Sequence, residues 1–157
     1  MAFDKAKAYL ESRGFGDRVM EFPVSSATVE LAAKAAGTEE DCIAKSLTFL
    51  VEEKPVMILC SGRSKINNPK YKALFHTKAK MLSPDQVREM IGHEIGGVCP
   101  FGVPDTVQVY LDESLKRHET VYPACGSGNS AVRLTPEELS ALLPGALWAD
   151  VCAPMEG

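Results

Sequence analysis

The chain has 157 residues, 45% of them hydrophobic and 24% charged, a balance that suits a soluble globular fold, one domain over residues 1–157. A net charge of −4 argues, taken alone, against a nucleic-acid partner, and no apolar run approaches the roughly 18 residues of a membrane span. Five cysteines form no C-x-x-C pair and three histidines no H-x-x-x-H pair, which speaks against a structural metal and a disulfide framework.

In chain order, residues 3–13 read as a helix, with Phe3, Ala6 and Leu10 on one face and Gly14 as its stop. "RVMEFPV" (18–24) is a short strand that Pro23 places at an edge or an ending. Ser25, Ser26 and Thr28 are candidate caps for a helix whose apolar face is Val29, Ala32, Ala33 and Ala36. "CIAKSLTFLV" (42–51), the turn "EEKP" and "VMILC" (56–60) read as a hairpin. A short helix follows from Pro69 to about Phe75. "SPDQVREMIG" is a capped helix with Ser83, Pro84 and Gln86 in a capping-box pattern. Strands are predicted at 106–111, 119–124 and 130–134, then a helix with Thr135 as cap, Pro136 first and Glu138 third. The tail "ADVCAPMEG" carries little signal. Strands arrive in runs, so an α/β (α+β) mixed sheet is expected rather than a doubly wound parallel one.

Lys45 is the residue out of place. It shares the period-two face of its strand with Ile43, Leu47, Phe49 and Val51, and an ammonium there needs a partner or a task. Two readings stand: an inward lysine pairing with Glu30 or Asp41 or reaching the sheet edge, or a cation awaiting an anionic ligand. Charge elsewhere is segregated too. Residues 63–80 hold Arg63, Lys65, Lys70, Lys72, Lys78 and Lys80 and no acid; of 17 basic residues 11 then remain, against 21 acidic ones. Such a patch attracts a polyanion despite the overall sign, although a solvated surface gives the same pattern.

"GGVCPFG" (96–102) joins a capped helix to a strand and fits neither phosphate-loop nor dinucleotide spacing. Its glycines and proline suit a stiff loop presenting backbone groups, a candidate oxyanion or amino-group cradle. "GSGN" (126–129) reads first as a hairpin turn. Cys99 with His93 as base is a weaker nucleophile arrangement, because nothing orients the histidine.

The stretches "IAKSLTF", "INNPKYKALF", "GHEIGGVCPFG" and "VYPACGSGNSAVRLTPEEL", in this order and spacing, resemble the YbaK/prolyl-tRNA synthetase-associated domain family over roughly residues 20–143. That family comprises free-standing relatives of the editing domain inserted in bacterial prolyl-tRNA synthetases. The resemblance implies a mixed, barrel-like sheet surrounded by helices, and hydrolysis of the ester of mischarged tRNA without metal or cofactor. It assigns the family's essential strand lysine to Lys45 and the G-x-x-x-P loop to Gly96–Pro100. Catalysis is then expected at Lys45, Gly96 and Gly97. Substrate contacts are expected at Thr28, His93, Val98, Cys99, Pro100, Phe101, Gly102, Gly126, Ser127, Gly128 and Asn129. The pocket walls are expected to include Val24, Thr28, Val29, Leu47 and the loop near Cys99, which suits a small acyl group such as alanine or cysteine.

With a tRNA substrate, Lys65, Lys70, Lys72, Lys78 and Lys80 would follow the acceptor stem through phosphate contacts. The implied partners are mischarged tRNA, tRNA-Pro above all, and prolyl-tRNA synthetase, in the cytoplasm and away from membranes. Free thiols behind an N-terminus without a secretory apolar core agree with that compartment. Two rival classes remain: a non-catalytic tRNA-binding or synthetase-associated module, and a cysteine hydrolase using Cys99.

Overall fold

A computed structural model describes residues 2–155. Helix α1 (Ala2–Glu11) leads through a 3-10 turn to β1 (Val19–Glu21), and α2 (Val29–Ala36) follows. The hairpin is β2 (Ile43–Val51) and β3 (Lys54–Ser61). Its turn places Glu52 and Glu53 at φ 49° and 68°, the two positive angles of the turn that matches the twist of a hairpin. Then come β4 (Ser64–Ile66), α3 (Asn68–Phe75) and α4 (Pro84–Gln86), which widens into a π-helical turn over Val87–Ile91. The chain continues with β5 (Gln108–Asp112), β6 (Tyr122–Pro123), β7 (Ser130–Val132), α5 (Pro136–Leu142), β8 (Leu147–Ala149) and β9 (Cys152–Pro154). Both capping boxes form: Ser83 with Gln86, and Thr135 with Glu138. No helix among the described residues is long and apolar enough to cross a membrane.

The main sheet is mixed, in the order β6-β2-β3-β5-β8. The hairpin pair β2–β3 is antiparallel, whereas β6, β5 and β8 join in parallel. Single bridges Val121↔Leu134 and Ala124↔Ala131 carry the pairing on to β7, which pairs with β1, so the sheet curls into a half-barrel. The large core, with Ala44, Met57, Leu59, Phe101, Leu111 and Leu139, fills one side. Val56, Ile58 and Cys60, alternating with the core-facing residues of β3, meet Tyr71 and Phe75 of α3 on the other.

The tail is structural. Strand β8 extends the sheet beside β5, and β9 pairs with β4. Val151 and Cys152 are buried against Phe49, Ile58 and Tyr71. Three-residue strands show no periodicity, so only their partners reveal them.

Candidate functional site

Both faces of β2 are covered, which changes the setting of Lys45. Ala44 and Leu50 face the main core. On the opposite face Ile43 packs under α2 with Ala32 and Ala33, while Leu47, Phe49 and Val51 belong to the cluster under α3. Lys45 stands where these two apolar clusters part. Its Nζ lies 3.4 Å from the Gly62 carbonyl oxygen and 4.0 Å from Met155 Sδ, and no carboxylate pairs with it among the described residues. Neither Glu30 nor Asp41 is its partner.

Beside Lys45 opens a cavity of about 200 Å³. Its walls are Ser26–Val29 and Ala32 from the start of α2, Ile43–Ser46 and Thr48 from β2, Met81 and Leu82, then Ile95, Gly96 and Val98. Tyr122, Ala124, Ser130 and Ala131 close it. Among the described residues the lining holds one cation, apolar side chains and hydroxyls, and neither carboxylate nor imidazole. Thr28 reaches this wall, but its Oγ1 accepts the Leu31 N–H at 3.2 Å as the helix cap. Val24 is exposed and Leu47 packs under α3, so neither is a wall.

A polar platform, unforeseen in the sequence, holds the Gly62 turn. Asp41, ahead of β2, accepts from the Arg63 N–H (3.0 Å), from Arg117 Nη2 (3.1 Å) and faces His118 Nε2 at 2.7 Å. Arg117 also donates to Ser61 Oγ at 2.9 Å and Ser64 Oγ at 3.2 Å, which flank the turn. Burial alone would raise the Asp41 carboxyl, but bonds to His118, Ser61 and the Arg63 N–H, with the Arg117 charge, hold it down at about 2. The Asp41 carboxylate is thus charged throughout the neutral range. Residues 41, 61, 64, 117 and 118 carry no shared spacing that a sequence could display.

The glycine-rich loop divides its labour. Gly96 and Val98 line the cavity. Gly97 donates its N–H to Glu94 C=O at 3.0 Å, so that donor is taken. A Cβ on Gly97 would lie 2.6 Å from the Ser127 nitrogen, so only glycine lets the two turns touch. Past this point the loop turns inward: Cys99 and Phe101 are fully buried in the main core, Pro100 is buried, and Gly102 packs on Lys5. These four, expected at the substrate, do not line the cavity.

The turn Gly126–Asn129 also stands behind the wall rather than in it. Gly128 C=O accepts the Ser26 N–H at 2.7 Å, Asn129 C=O accepts the Phe22 N–H at 2.8 Å, and Ser127 Oγ meets Ser130 Oγ at 2.6 Å. It braces the segment that leads into α2.

His93 and Cys99 do meet, with Nε2 and Sγ 3.5 Å apart, but inside the core. Burial pushes the thiol far up, and a buried, protonated sulfur away from any cavity cannot serve as a nucleophile. Burial, with the Lys5 charge, lowers His93 from 6.5 to about 4, the Phe101 backbone opposing in part. The folded protein therefore refuses a proton that the unfolded chain takes up. Stability is full above pH 6.5 and falls as pH drops toward about 4, by up to about 3 kcal/mol. Urea melts across this range are expected to show that loss, and His93→Gln to flatten it.

Of the basic segment, Lys65, Lys72, Lys78 and Lys80 are exposed. Lys70 instead bonds Asp150 at 2.8 Å and the Cys152 carbonyl at 3.1 Å, tying α3 to the tail. Lys80 is adjacent in the chain to Met81, a cavity wall.

A family model described as aminoacyl-tRNA editing domain matches residues 24–142. The chain belongs to this family. The uncharacterized protein YwhH of Bacillus subtilis (strain 168) is 53% identical over 139 residues, covering 88% of each chain. The proline–tRNA ligase of Geobacillus sp. (strain WCH70) is 30% identical over 112 residues, 69% of this chain but 19% of the ligase. The chain thus spans about a fifth of the ligase it matches. A crystal structure of a protein proposed to be a trans-editing enzyme for prolyl tRNA synthetase superposes with TM-score 0.86 at 38% identity, covering 99% of this chain and 98% of the other.

Every cavity wall of this editing domain falls inside the matched span. Strands β8 and β9, and with them Met155, the sulfur neighbour of Lys45, lie beyond that span.

Proposed function

We propose that the protein is a trans-editing aminoacyl-tRNA deacylase, hydrolysing in the cytoplasm the ester of tRNA-Pro that carries a small non-cognate amino acid such as alanine or cysteine. The observation that carries this reading is the pairing of one cation, Lys45, with a cavity of about 200 Å³ walled by apolar side chains and hydroxyls. The ammonium holds the tRNA 3′ end by charge, and the small chamber admits a short acyl group and excludes a bulky one. A size-limited second site is what synthesis on tRNA requires, because one methylene gives a synthetase only about 10- to 200-fold discrimination.

Water adds to the ester carbonyl, the oxygen takes up negative charge, and the 3′-oxygen leaves with a proton. Gly96, at the wall, supplies loop backbone to align this step. With no carboxylate or imidazole on the walls among the described residues, the substrate's own 2′-hydroxyl is the group that assists the proton transfer. Lys65, Lys72, Lys78 and Lys80 bind acceptor-stem phosphates, and prolyl-tRNA synthetase is the source of the substrate.

The test is a deacylation panel: tRNA-Pro charged with alanine, cysteine, serine, 2-aminobutyrate or proline, and alanine tRNA as control. Loss of alanyl or cysteinyl ester above the spontaneous rate, with prolyl ester spared, is expected. Esters that all persist at the spontaneous rate would leave only a binding module. The affinity for tRNA should fall steeply with salt, and each of Lys72→Glu and Lys78→Glu should lower the salt slope by about 1.

A further inference from the structure

The edge of β2 that faces away from β3 is closed at both ends and open between. At one end β6 runs beside it, Ile43 opposite Tyr122 and Ala44 opposite Pro123. At the other, Leu50 N–H donates to Lys80 C=O at 2.8 Å and Thr48 C=O accepts the Leu82 N–H at 3.1 Å. After Leu82 the chain turns off into the Ser83 cap of α4 and leaves the edge. Backbone groups of a strand alternate sides, so Ser46 points its N–H and C=O the same way as Thr48 and Leu50, into the gap. Among the described residues no strand pairs with it there. The Ser46 hydroxyl is also buried, at the cavity wall, with no hydrogen-bond partner among the described residues. Three polar groups of this one cavity-lining residue are thus without a partner among the described residues, whereas polar groups of a protein interior are ordinarily met.

We infer that the substrate's aminoacyl group fills this gap as a one-residue strand, its α-ammonium donating to Ser46 C=O and its ester carbonyl accepting from Ser46 N–H. The inference rests on the editing reading above and names the acyl recognition within it. An α-amino ester carries one donor and one acceptor on either side of one Cα, as a strand residue does. Only antiparallel pairing lets a single residue exchange both bonds with its opposite, and the 80–82 segment already runs antiparallel, with Met81 opposite Phe49. In that direction the ester oxygen, and the RNA attached to it, points toward Lys45. The amino end points toward Leu82, and acetylation there would remove the ammonium charge and two of its N–H donors. Ser46 N–H then donates to the carbonyl oxygen as it takes up charge, a role the Gly97 N–H, bound to Glu94, cannot fill. The hydroxyl is a second acceptor for the ammonium.

Two measurements test this. Alanyl-tRNA-Pro and its N-acetyl derivative share one ester, and the acetylated form is expected to react at least about 100-fold more slowly. Second, amide hydrogen exchange is followed with 3′-alanylamino-3′-deoxyadenosine, an unreactive amide analogue, at millimolar concentration. The Ser46 amide is expected to exchange freely in the protein alone and at least about tenfold more slowly with the analogue, and the N-acetyl analogue should give no protection. Ser46→Ala, which keeps the main chain, should raise KM about tenfold with little change in kcat. Equal cleavage of the acetylated ester, or a Ser46 amide unmoved while alanyl ester is hydrolysed, overturns the inference and leaves the editing reading intact. If neither ester is hydrolysed, both fall.

Discussion

Lys45→Ala is expected to lower single-turnover deacylation of alanyl-tRNA-Pro at least about 100-fold while the protein stays folded. Among the described residues the ammonium is the sole cation on the cavity wall, so no neighbour there replaces it at the RNA end. Its contacts within the protein are slight, a 3.4 Å approach to Gly62 C=O and a 4.0 Å approach to Met155 Sδ. Removing a half-exposed side chain with no ion partner among the described residues should therefore change stability by less than about 1 kcal/mol. Lys45→Arg keeps the charge on a planar fork that does not match one carbonyl perch, and should recover binding more than rate. A Lys45→Ala protein with the parent's single-turnover rate would remove this residue from the reaction.

The second large effect is expected at Gly62, a position with no distinction in the sequence. A Cβ there would overlap the Glu40 carbonyl oxygen and lie 2.8 Å from Val29 Cγ1. The backbone around Glu40 is held by Asp41, which the Arg117–His118 platform fixes, so it cannot retreat cheaply. Gly62→Ala should cost about 2–3 kcal/mol, or roughly 6–10 °C in Tm for a chain of this size. By moving the carbonyl on which Lys45 rests, it should also slow deacylation about tenfold or more at temperatures where the variant is fully folded. An unchanged Tm together with an unchanged rate would show that the turn neither fits tightly nor positions the lysine. Asp41→Asn offers a comparison, loosening the same turn without adding a clash.

These residues mark how far the sequence could be read. Lys45 was visible because an ammonium breaks a period-two apolar pattern, and the caps at Thr28, Ser83 and Thr135 because capping is local chemistry. The glycine–proline loop was recognisable as a loop, yet its halves face opposite ways. Gly96 and Val98 reach the cavity, whereas Cys99 and Phe101 point into the core, and nothing in a loop's composition fixes where it crosses from surface to interior. The same holds for "GSGN", whose backbone braces Phe22 and Ser26 from over a hundred positions away.

By itself, then, the sequence determined the elements with strong periods or caps, the mixed order of helices and strands, the family, and the lysine that does not belong. Tertiary structure alone decided that Lys45 stands between two clusters, that Asp41, Arg117 and His118 build its support, that Ser46 faces a gap in the sheet edge, and that the tail becomes two strands. The division has one cause. Helix caps and strand periods are set by neighbours a few residues away, whereas a cavity, a sheet edge and a charged platform exist only between segments that folding brings together.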